Sequence, residues 1–366
     1  MKREEYLDRL RMTLERDGFE QVEEAVAWFD EMLQDRMADS GTGEDETVAA
    51  MEPPEAVAGA LREGAAKARD RAEAPRQDAA EGGAAQEADG FTGVKVVRFK
   101  ADQARHIRVR DRNTSVTVTG VAGDEIVLRH PQSRKDRYDF TLENGTMTLV
   151  RQPWDFSQGI FSFGPFNRDM YRVTLEVPRE LAAELDVSTT NSSVRRDGFS
   201  CWGRARAAST NGSLTLTDVH AKSLDLKTGN GRVTLERVKA QDALAAVTSN
   251  GRAEAQDTQA GGPLTLKTSN SSIRAKGVRA PSVSLVTSNG SIEAERVDAP
   301  DVTMTTANAS IRGTLPGSVA DWDVTSATSN GKNSLPSRKQ GGAKRLNVRT
   351  SNGSIKLSFE KDGAGA

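Results

Sequence analysis

Residues 282–299, SVSLVTSNGSIEAERVDA, carry the pattern that decides the fold of this chain. Before the asparagine, apolar side chains alternate with polar ones at Val283 and Leu285, and the alternation starts again at Ile292. A period of two is typical of a β-strand that buries one face. The alternation changes phase beside Gly290, which predicts a corner between two strands rather than one long strand.

The same phrase recurs along most of the chain. From residue 191 onward its asparagine returns every 19 to 22 residues, and the apolar template also fits residues 106–121. A fixed period of about 20 residues indicates a solenoid in which each copy forms one coil. We therefore predict a mainly β fold, a single-chain parallel β-helix-like solenoid of about ten coils preceded by a small all-α domain. The repeated asparagines are Asn113, Asn191, Asn211, Asn230, Asn250, Asn270, Asn289, Asn308, Asn330 and Asn352.

The recurrence of asparagine has a physical explanation. Counting by twos from Leu285 places Thr287 and Asn289 on the inward side of the strand. A buried amide must be paired, and coils stacked about 4.8 Å apart bring each asparagine within reach of the next. The sequence therefore predicts a buried structural ladder of hydrogen-bonded asparagines.

The front of the chain has a different pattern. Leu7, Leu10 and Leu14 recur at helical spacing with acidic residues around them, and Val22, Val26, Phe29, Leu33 and Met37 do so again. Residues 63–92 are rich in Ala, Glu and Gly, a composition typical of linkers. The predicted parts are an acidic helical interaction domain at 1–62, a flexible linker at 63–92, the solenoid at 93–360 with an excursion at 123–180, and a disordered tail at 361–366.

Charge and cysteine content narrow the class of protein. The net charge is only -2, but the first 90 residues hold 11 basic and 24 acidic side chains, so the acidic front could pair with the basic remainder. The single cysteine, Cys201, excludes an internal disulfide framework. No apolar stretch approaches the roughly 18 residues of a membrane span, and the N-terminus is charged. We expect a cytoplasmic protein, with the inner face of the membrane as a second location.

Two resemblances rest on these residues. The succession REEYLDRLRMTLE, EEAVAWFDEMLQDRM and EDETVAAMEPPEAVAGAL resembles the helical HAAS signalling domain of bacterial envelope and regulatory proteins, although Met51-Glu52-Pro53-Pro54 replaces its Leu-Gly-x-Pro turn. The TSNGSI-type repeats over roughly residues 94–359 resemble a bacterial adhesin-like β-strand-repeat family of unknown function. The resemblances imply a β-helix-like solenoid, a regulatory setting and a protein partner bound through residues 1–62.

The residues offer little support for catalysis. Outward acidic residues such as Asp218 and Glu236 hold no common position in successive coils, and His106, His130 and His220 lie far apart. No glycine-rich phosphate loop occurs. We therefore predict a protein that is not an enzyme and has no cofactor or metal.

The excursion holds a cluster of aromatic residues that needs its own explanation. Within 18 positions, residues 154–171, it holds six of the chain's 18 aromatic residues, among them Trp154, Phe156, Phe161, Phe163 and Phe166. They either cap the open end of the solenoid, which we favour, or contact a partner or membrane.

Basic residues form a second candidate surface. They are Arg105, Arg108, Arg110 and Arg112 on the first coil, Arg134, Lys135 and Arg137 in the excursion, and Lys344, Arg345 and Arg349 near the last coil. They could attract an anionic membrane, whereas protection of strand edges against aggregation is the explanation that we favour.

These observations favour a non-enzymatic interaction or regulatory protein, a helical module for protein contact on a rigid solenoid, with envelope-stress signalling as its setting. One alternative is a self-assembling scaffold like the cytoskeletal bactofilins, because uncapped solenoids can join end to end. Another is a surface adhesin or glycan-active β-helix protein. Another protein is the expected partner, an anionic membrane surface is a second candidate, and nucleic acid is disfavoured.

Overall fold

A computed structural model describes residues 2–19, 22–23, 25–26, 29–30, 33, 43–49, 51–59, 62, 91–133, 137–152 and 172–360. The chain divides into two compact units. One comprises Met1–Lys95, His130–Tyr138 and Arg151–Tyr171, and the other comprises Val96–Arg129, Asp139–Val150 and Arg172–Ala366.

The first unit contains a small helical core, and the predicted helical periodicity is confirmed there. Its helices include Arg3–Arg16 and Glu44–Ala49. The first helix ends at Arg16, and the φ of 70° at Gly18 just beyond it lets the N–H of Phe19 bond back to the carbonyl of Leu14. The shared core consists of Tyr6, Leu7, Leu10, Leu14, Ala25, Val26, Phe29, Leu33, Val48, Val57 and Ala58. Within the described part of the chain, no helix is long and apolar enough to cross a membrane.

One continuous sheet of strands, most of them short, supplies most of the second unit. The strands are β1 Phe91–Lys100, β2 His106–Arg110, β3 Ser115–Val121, β4 Glu125–Ser133, β5 Tyr138–Glu143, β6 Thr146–Arg151, β7 Arg172–Pro178, β8 Glu180–Leu181, β9 Glu184–Thr189, β10 Val194–Ser209, β11 Leu214–Thr228, β12 Val233–Glu236, β13 Lys239–Ala240, β14 Leu244–Val247, β15 Ala253–Gln256, β16 Gln259–Ala260, β17 Leu264–Lys267, β18 Ile273–Lys276, β19 Ser282–Val286, β20 Ile292–Glu295, β21 Asp301–Thr305, β22 Ile311–Pro316, β23 Trp322–Ala327, β24 Arg338–Lys339, β25 Lys344–Arg349 and β26 Ile355–Glu360.

These strands wind into a parallel solenoid, which confirms the predicted fold class. Three ladders form its faces. Face 1 holds the strands that precede each asparagine, such as β14, β17 and β19, and face 2 holds those that follow it, such as β15, β18 and β20. Face 3 holds the short strands β8, β13 and β16 together with the middle parts of β10 and β11.

The core follows from the register of the ladders. Leu244 lies opposite Leu264, which lies opposite Val283, and all three are buried. In-register parallel pairing places like residues above like, so each coil fills the same interior positions. Burial of one such leucine or valine side chain contributes about 1.5–3 kcal/mol.

A second corner separates face 2 from face 3, and the sequence pattern did not predict it. The residue seven places after the asparagine has a left-handed backbone, with φ of 51° at Arg237, 48° at Asp257, 62° at Gly277 and 50° at Arg296. This conformation favours glycine, yet three of these four positions carry a side chain. These coils therefore have three sides, with a second corner in addition to the one predicted beside the asparagine.

The order of the coils in space differs from their order in the sequence at both ends. Strand β2 pairs with β9 on one side and with β6 on the other, and β3 likewise lies between β10 and β7. The region predicted as an excursion therefore supplies β6 and β7 of a further coil outside the Asn113 coil. At the other end β25 lies between β21 and β23.

Antiparallel strands lie against both terminal coils. Strand β4 pairs antiparallel with β7, and β24 pairs antiparallel with β23. A parallel ladder cannot simply continue across such a strand, which opposes the addition of another solenoid end to end.

Candidate ligand groove beside Trp202

An open groove of about 600 Å³ lies on face 3. Its floor is a row of small, buried residues in register across successive coils, namely Cys201, Ala221, Ala240 and Ala260. A row of more polar residues runs beside it, namely Ser200, His220, Lys239, Gln259 and Arg279. Because parallel strands lie about 4.8 Å apart, five stacked positions span about 19 Å.

Trp202 is the main exposed apolar side chain of this groove. It lies in a β-bulge, where the pairing of β10 with β11 shifts by one residue between Cys201 and Arg204. The extra residue turns the indole outward, and the side chain is 66% exposed. Its Nε1 donates to Oε2 of Glu180 at 3.1 Å, so the ring faces remain free for contact.

Hydrogen-bond donors dominate the groove. Lys239 has no ion-pair partner within the described residues, and Arg279 donates to Asp298 at 3.0 Å. Glu180 is the carboxylate among the lining residues, and it accepts from Trp202. The hydrogen-bond donors that remain available in the groove therefore suit a ligand that brings hydrogen-bond acceptors or negative charge.

A buried arginine lies in the same coil as Cys201. Arg196 is fully buried, its Nη2 donates to the carbonyl of Arg206, and its Nε and Nη1 have no partner in the described structure. On face 1, Ala205 and Ala207 lie opposite the leucines of the next coil. These smaller side chains leave room for the guanidinium. Burial lowers the pKa of Arg196 to about 10, so the group is still charged at neutral pH.

Cys201 is part of the floor rather than a reactive thiol. It is 2% exposed and its Sγ donates to the carbonyl of Ala183 at 2.8 Å. Burial raises the pKa of the thiol, against the opposing effects of the Gly203 backbone and the Arg196 charge. The protonated, covered sulfur is a poor nucleophile.

The repeated asparagines lie at the corner between faces 1 and 2 and form a continuous chain of hydrogen bonds. In each bond the Nδ2 of one asparagine donates to Oδ1 of its neighbour, at distances of 2.5 to 2.8 Å. The spatial order is Asn113, Asn191, Asn211, Asn230, Asn250, Asn270, Asn289, Asn308, Asn352 and Asn330.

The prediction that this ladder is buried is wrong. Asn113 and Asn191 are half-buried, and the other eight asparagines are exposed. The chain bends immediately after the threonine, so the inward alternation stops at Thr287 and does not reach Asn289. Exposed amides keep access to water, and the ladder contributes less to stability than a buried one would.

The inward residue at this corner is the threonine. Thr248 is buried, donates to the carbonyl of Gly231 at 2.9 Å and accepts from the N–H of Gly251 at 3.1 Å. The hydroxyl thus joins two coils at a point where the backbone leaves the ladder. The inward position predicted for Thr287 is confirmed.

The structure describes only part of the predicted aromatic and basic surfaces. Trp154, Phe156, Phe161, Phe163 and Phe166 lie outside the described residues, as do Arg134 and Lys135. On the first coil Arg110 pairs with Asp186 at 2.5 Å, and near the last coil Arg345 lies 3.4 Å from Asp301. These two arginines are therefore engaged with neighbouring coils.

Residues that could hold a metal do not converge. The three histidines lie on β2, β4 and β11. Across the described ranges, no group of three or more His, Cys, Asp or Glu side chains is arranged to hold a metal ion.

Trp202 was not predicted as a contact residue, although the sequence holds a signal for it. The copy from Asn191 to Asn211 has 20 residues, and the copy from Asn211 to Asn230 has 19. When a longer copy pairs in parallel with a shorter one, the extra residue must bulge. The spacing locates a bulge somewhere in the coil, and only the folded structure shows that it falls at Trp202.

Comparison with known proteins finds similar solved structures at low identity. A candidate adhesin from Parabacteroides merdae is 12% identical, with 74% of this chain and 96% of that chain covered and a TM-score of 0.39. A candidate adhesin from Bacteroides fragilis is also 12% identical, with 72% and 97% covered and a TM-score of 0.29. A candidate lipid-binding protein from Parabacteroides distasonis is 11% identical, with 74% and 98% covered and a TM-score of 0.31. No curated protein matches.

A family model gives the firmer result. The model for Toastrack DUF4097 proteins matches residues 104–366, which is more than two thirds of the chain. The match takes in most of the three-faced solenoid, including the whole groove beside Trp202. The chain belongs to the Toastrack DUF4097 family.

Proposed function

We propose that this chain is a non-enzymatic interaction protein, in which the helical unit contacts another protein and the solenoid presents the Trp202 groove to a ligand. The observation that carries the proposal is Trp202 itself. A large aromatic side chain that is 66% exposed on a rigid ladder, beside a groove, is typical of a contact site.

The groove chemistry favours binding over catalysis. Glycoside hydrolysis, the reaction best known for an open groove, needs two carboxylates flanking the bond. Glu180, the carboxylate that lines the groove, accepts from Trp202, and Asp298, which lies outside the lining, accepts from Arg279. Neither carboxylate is placed as a free acid or base.

The helical unit offers a second contact surface. Met12 is 68% exposed on helix Arg3–Arg16, while the apolar residues on the opposite side of this helix are buried. The resemblance of residues 1–62 to HAAS signalling domains supports a protein partner there. It also supports bacterial envelope-stress signalling as the setting. The cytoplasm is the location we propose, and the composition of residues 63–92 supports a linker there, although β1 already begins at Phe91.

The structure offers less support for a self-assembling scaffold. Antiparallel strands β4 and β24 lie against the two terminal coils, where a growing filament would need open parallel edges. Sedimentation of the full chain over a range of concentrations separates the two functions. A species that grows without limit would favour the scaffold.

Cross-linking in the bacterial host tests the proposal directly. The full chain is compared with Met12→Lys and Trp202→Ala, and with Glu15→Gln and Lys267→Glu as exposed controls on the same helix and on another face of the solenoid. We expect Met12→Lys or Trp202→Ala to remove specific cross-linked products that both controls keep. Identical products from all five proteins would contradict the proposed contacts.

A further inference from the structure

We propose that the Trp202 groove binds an extended acidic peptide segment of a partner protein. This inference rests on the proposed function, because it names the ligand class of the same groove. It makes the groove a second contact site, separate from the helical unit.

The dimensions of the groove suit an extended chain. The five stacked positions from Ser200 to Arg279 span about 19 Å, and an extended polypeptide covers that length with about six residues. The floor of Cys201, Ala221 and Ala240 has no long side chain that would block it. A peptide can therefore lie along the solenoid axis across several coils.

The charge of the groove selects acidic side chains. Lys239 has no ion-pair partner in the described structure, whereas Arg279 in the same row is paired with Asp298. The charged Arg196 guanidinium lies inside the coil that supplies Cys201 to the floor, where water screens it poorly. Asp and Glu side chains gain attraction from Lys239 and Arg196, whereas Lys and Arg side chains are repelled by them.

The neutral groups of the groove suit a peptide backbone. Gln241 and Gln259 each carry a donor and an acceptor, which match the C=O and N–H groups of an extended chain. Trp202 supplies an aromatic anchor whose orientation is held by Glu180. An acidic oligosaccharide shares the negative charge but lacks the regular backbone amides, and we treat it as the competing ligand class.

Selection of peptides on the full chain tests the inference. A displayed library of random peptides is selected on the wild-type protein and counter-selected on Trp202→Ala. We expect enriched peptides with net negative charge. One enriched peptide, made with a fluorescent label, should bind about tenfold more weakly to Lys239→Glu and to Trp202→Ala, because each removes a central contact.

Matched controls make the result specific. Lys267→Glu makes the same charge change on face 1 and should keep the affinity within about twofold, as expected for an exposed charge outside the contact. Thermal melting of each variant checks that its fold is intact. The labelled peptide with Glu and Asp replaced by Gln and Asn should lose most of its binding.

Three outcomes would overturn the inference. They are no enrichment over Trp202→Ala, enrichment of neutral or basic peptides, and equal losses in Lys239→Glu and Lys267→Glu. Binding of carboxylated oligosaccharides that depends on Trp202, without peptide enrichment, would replace the ligand class but leave the groove as a binding site. Failure of the proposed function would appear separately, as the absence of any specific cross-linked product in the host.

Discussion

The Nδ2 of Asn352 donates to Oδ1 of Asn308 at 2.8 Å, although Asn330 lies between them in the sequence. Asn330 in turn donates to Asn352 at 2.8 Å and forms the outer end of the ladder. The coil of Asn330 is therefore the terminal one in space, and the coil of Asn352, which follows it in the sequence, lies between it and the coil of Asn308. The coil outside Asn113 arises in the same way at the other end.

Engineered disulfides should show that the coils of Asn330 and Asn352 lie in the opposite order in space to their order in the sequence. Neighbouring coils lie about 4.8 Å apart, within the Cα range of a disulfide, whereas two coils span about 10 Å, beyond its limit. In a Cys201→Ala background, we expect Asn308→Cys with Asn352→Cys to cross-link on oxidation. Asn308→Cys with Asn330→Cys should stay reduced. Mass spectrometry of the oxidised proteins measures this, and the reverse result would restore the sequential order.

At the corner between faces 1 and 2, the threonine should contribute more to the free energy of unfolding than the asparagine does. Thr248→Val removes a buried hydroxyl that joins Gly231 and Gly251, and should lower the free energy of unfolding by about 1–3 kcal/mol. Asn250→Ala, in the same coil, removes exposed bonds that water can replace, and should cost less than about 1 kcal/mol. Urea unfolding of both variants decides. A larger loss for Asn250→Ala would show that the ladder is cooperative.

The buried Arg196 side chain should lower the stability of the fold. Arg196→Met replaces a buried, incompletely bonded cation by an apolar side chain of similar length, and should leave stability unchanged or raise it by about 1–4 kcal/mol. Arg195→Met changes the exposed neighbour on the same strand and should shift stability by less than about 0.5 kcal/mol. Thermal melting at neutral pH compares the two. A clear loss for Arg196→Met would mean that the guanidinium makes essential bonds.

At the corner between faces 2 and 3, where the backbone is left-handed, removing a glycine and introducing one should change stability in opposite directions. Gly277→Ala places a Cβ 2.6 Å from Oδ1 of Asp257 at a φ of 62°, and should destabilise by about 1–2 kcal/mol. Arg296→Gly relieves the same conformation one coil later, and should be neutral or stabilising by up to about 1 kcal/mol. Denaturant midpoints measure both. Equal losses would show that the Arg296 side chain, not its backbone, matters at this corner.

The sequence by itself determined the solenoid, its inward residues and the presence of a corner beside each asparagine. These features follow from local periodicity, because a strand with one buried face must alternate, as at Val283 and Leu285, and a coil repeated about every 20 residues must stack on its neighbours. The inward position of Thr287 was likewise a matter of counting by twos. The helical core around Leu10 and Leu14 followed from spacing in the same way.

Only the tertiary structure decided which coils are neighbours, where the chain leaves each face and which side chains meet at the groove. Repeats of nearly equal sequence can stack in either order, so nothing local places Asn352 before Asn330. The exposure of Asn289 depends on a bend that the alternation does not encode. The groove brings Trp202, Lys239 and Arg279 together from three different coils. Its position depends on a one-residue bulge between Cys201 and Arg204, which the spacing of the repeats does not locate within the coil.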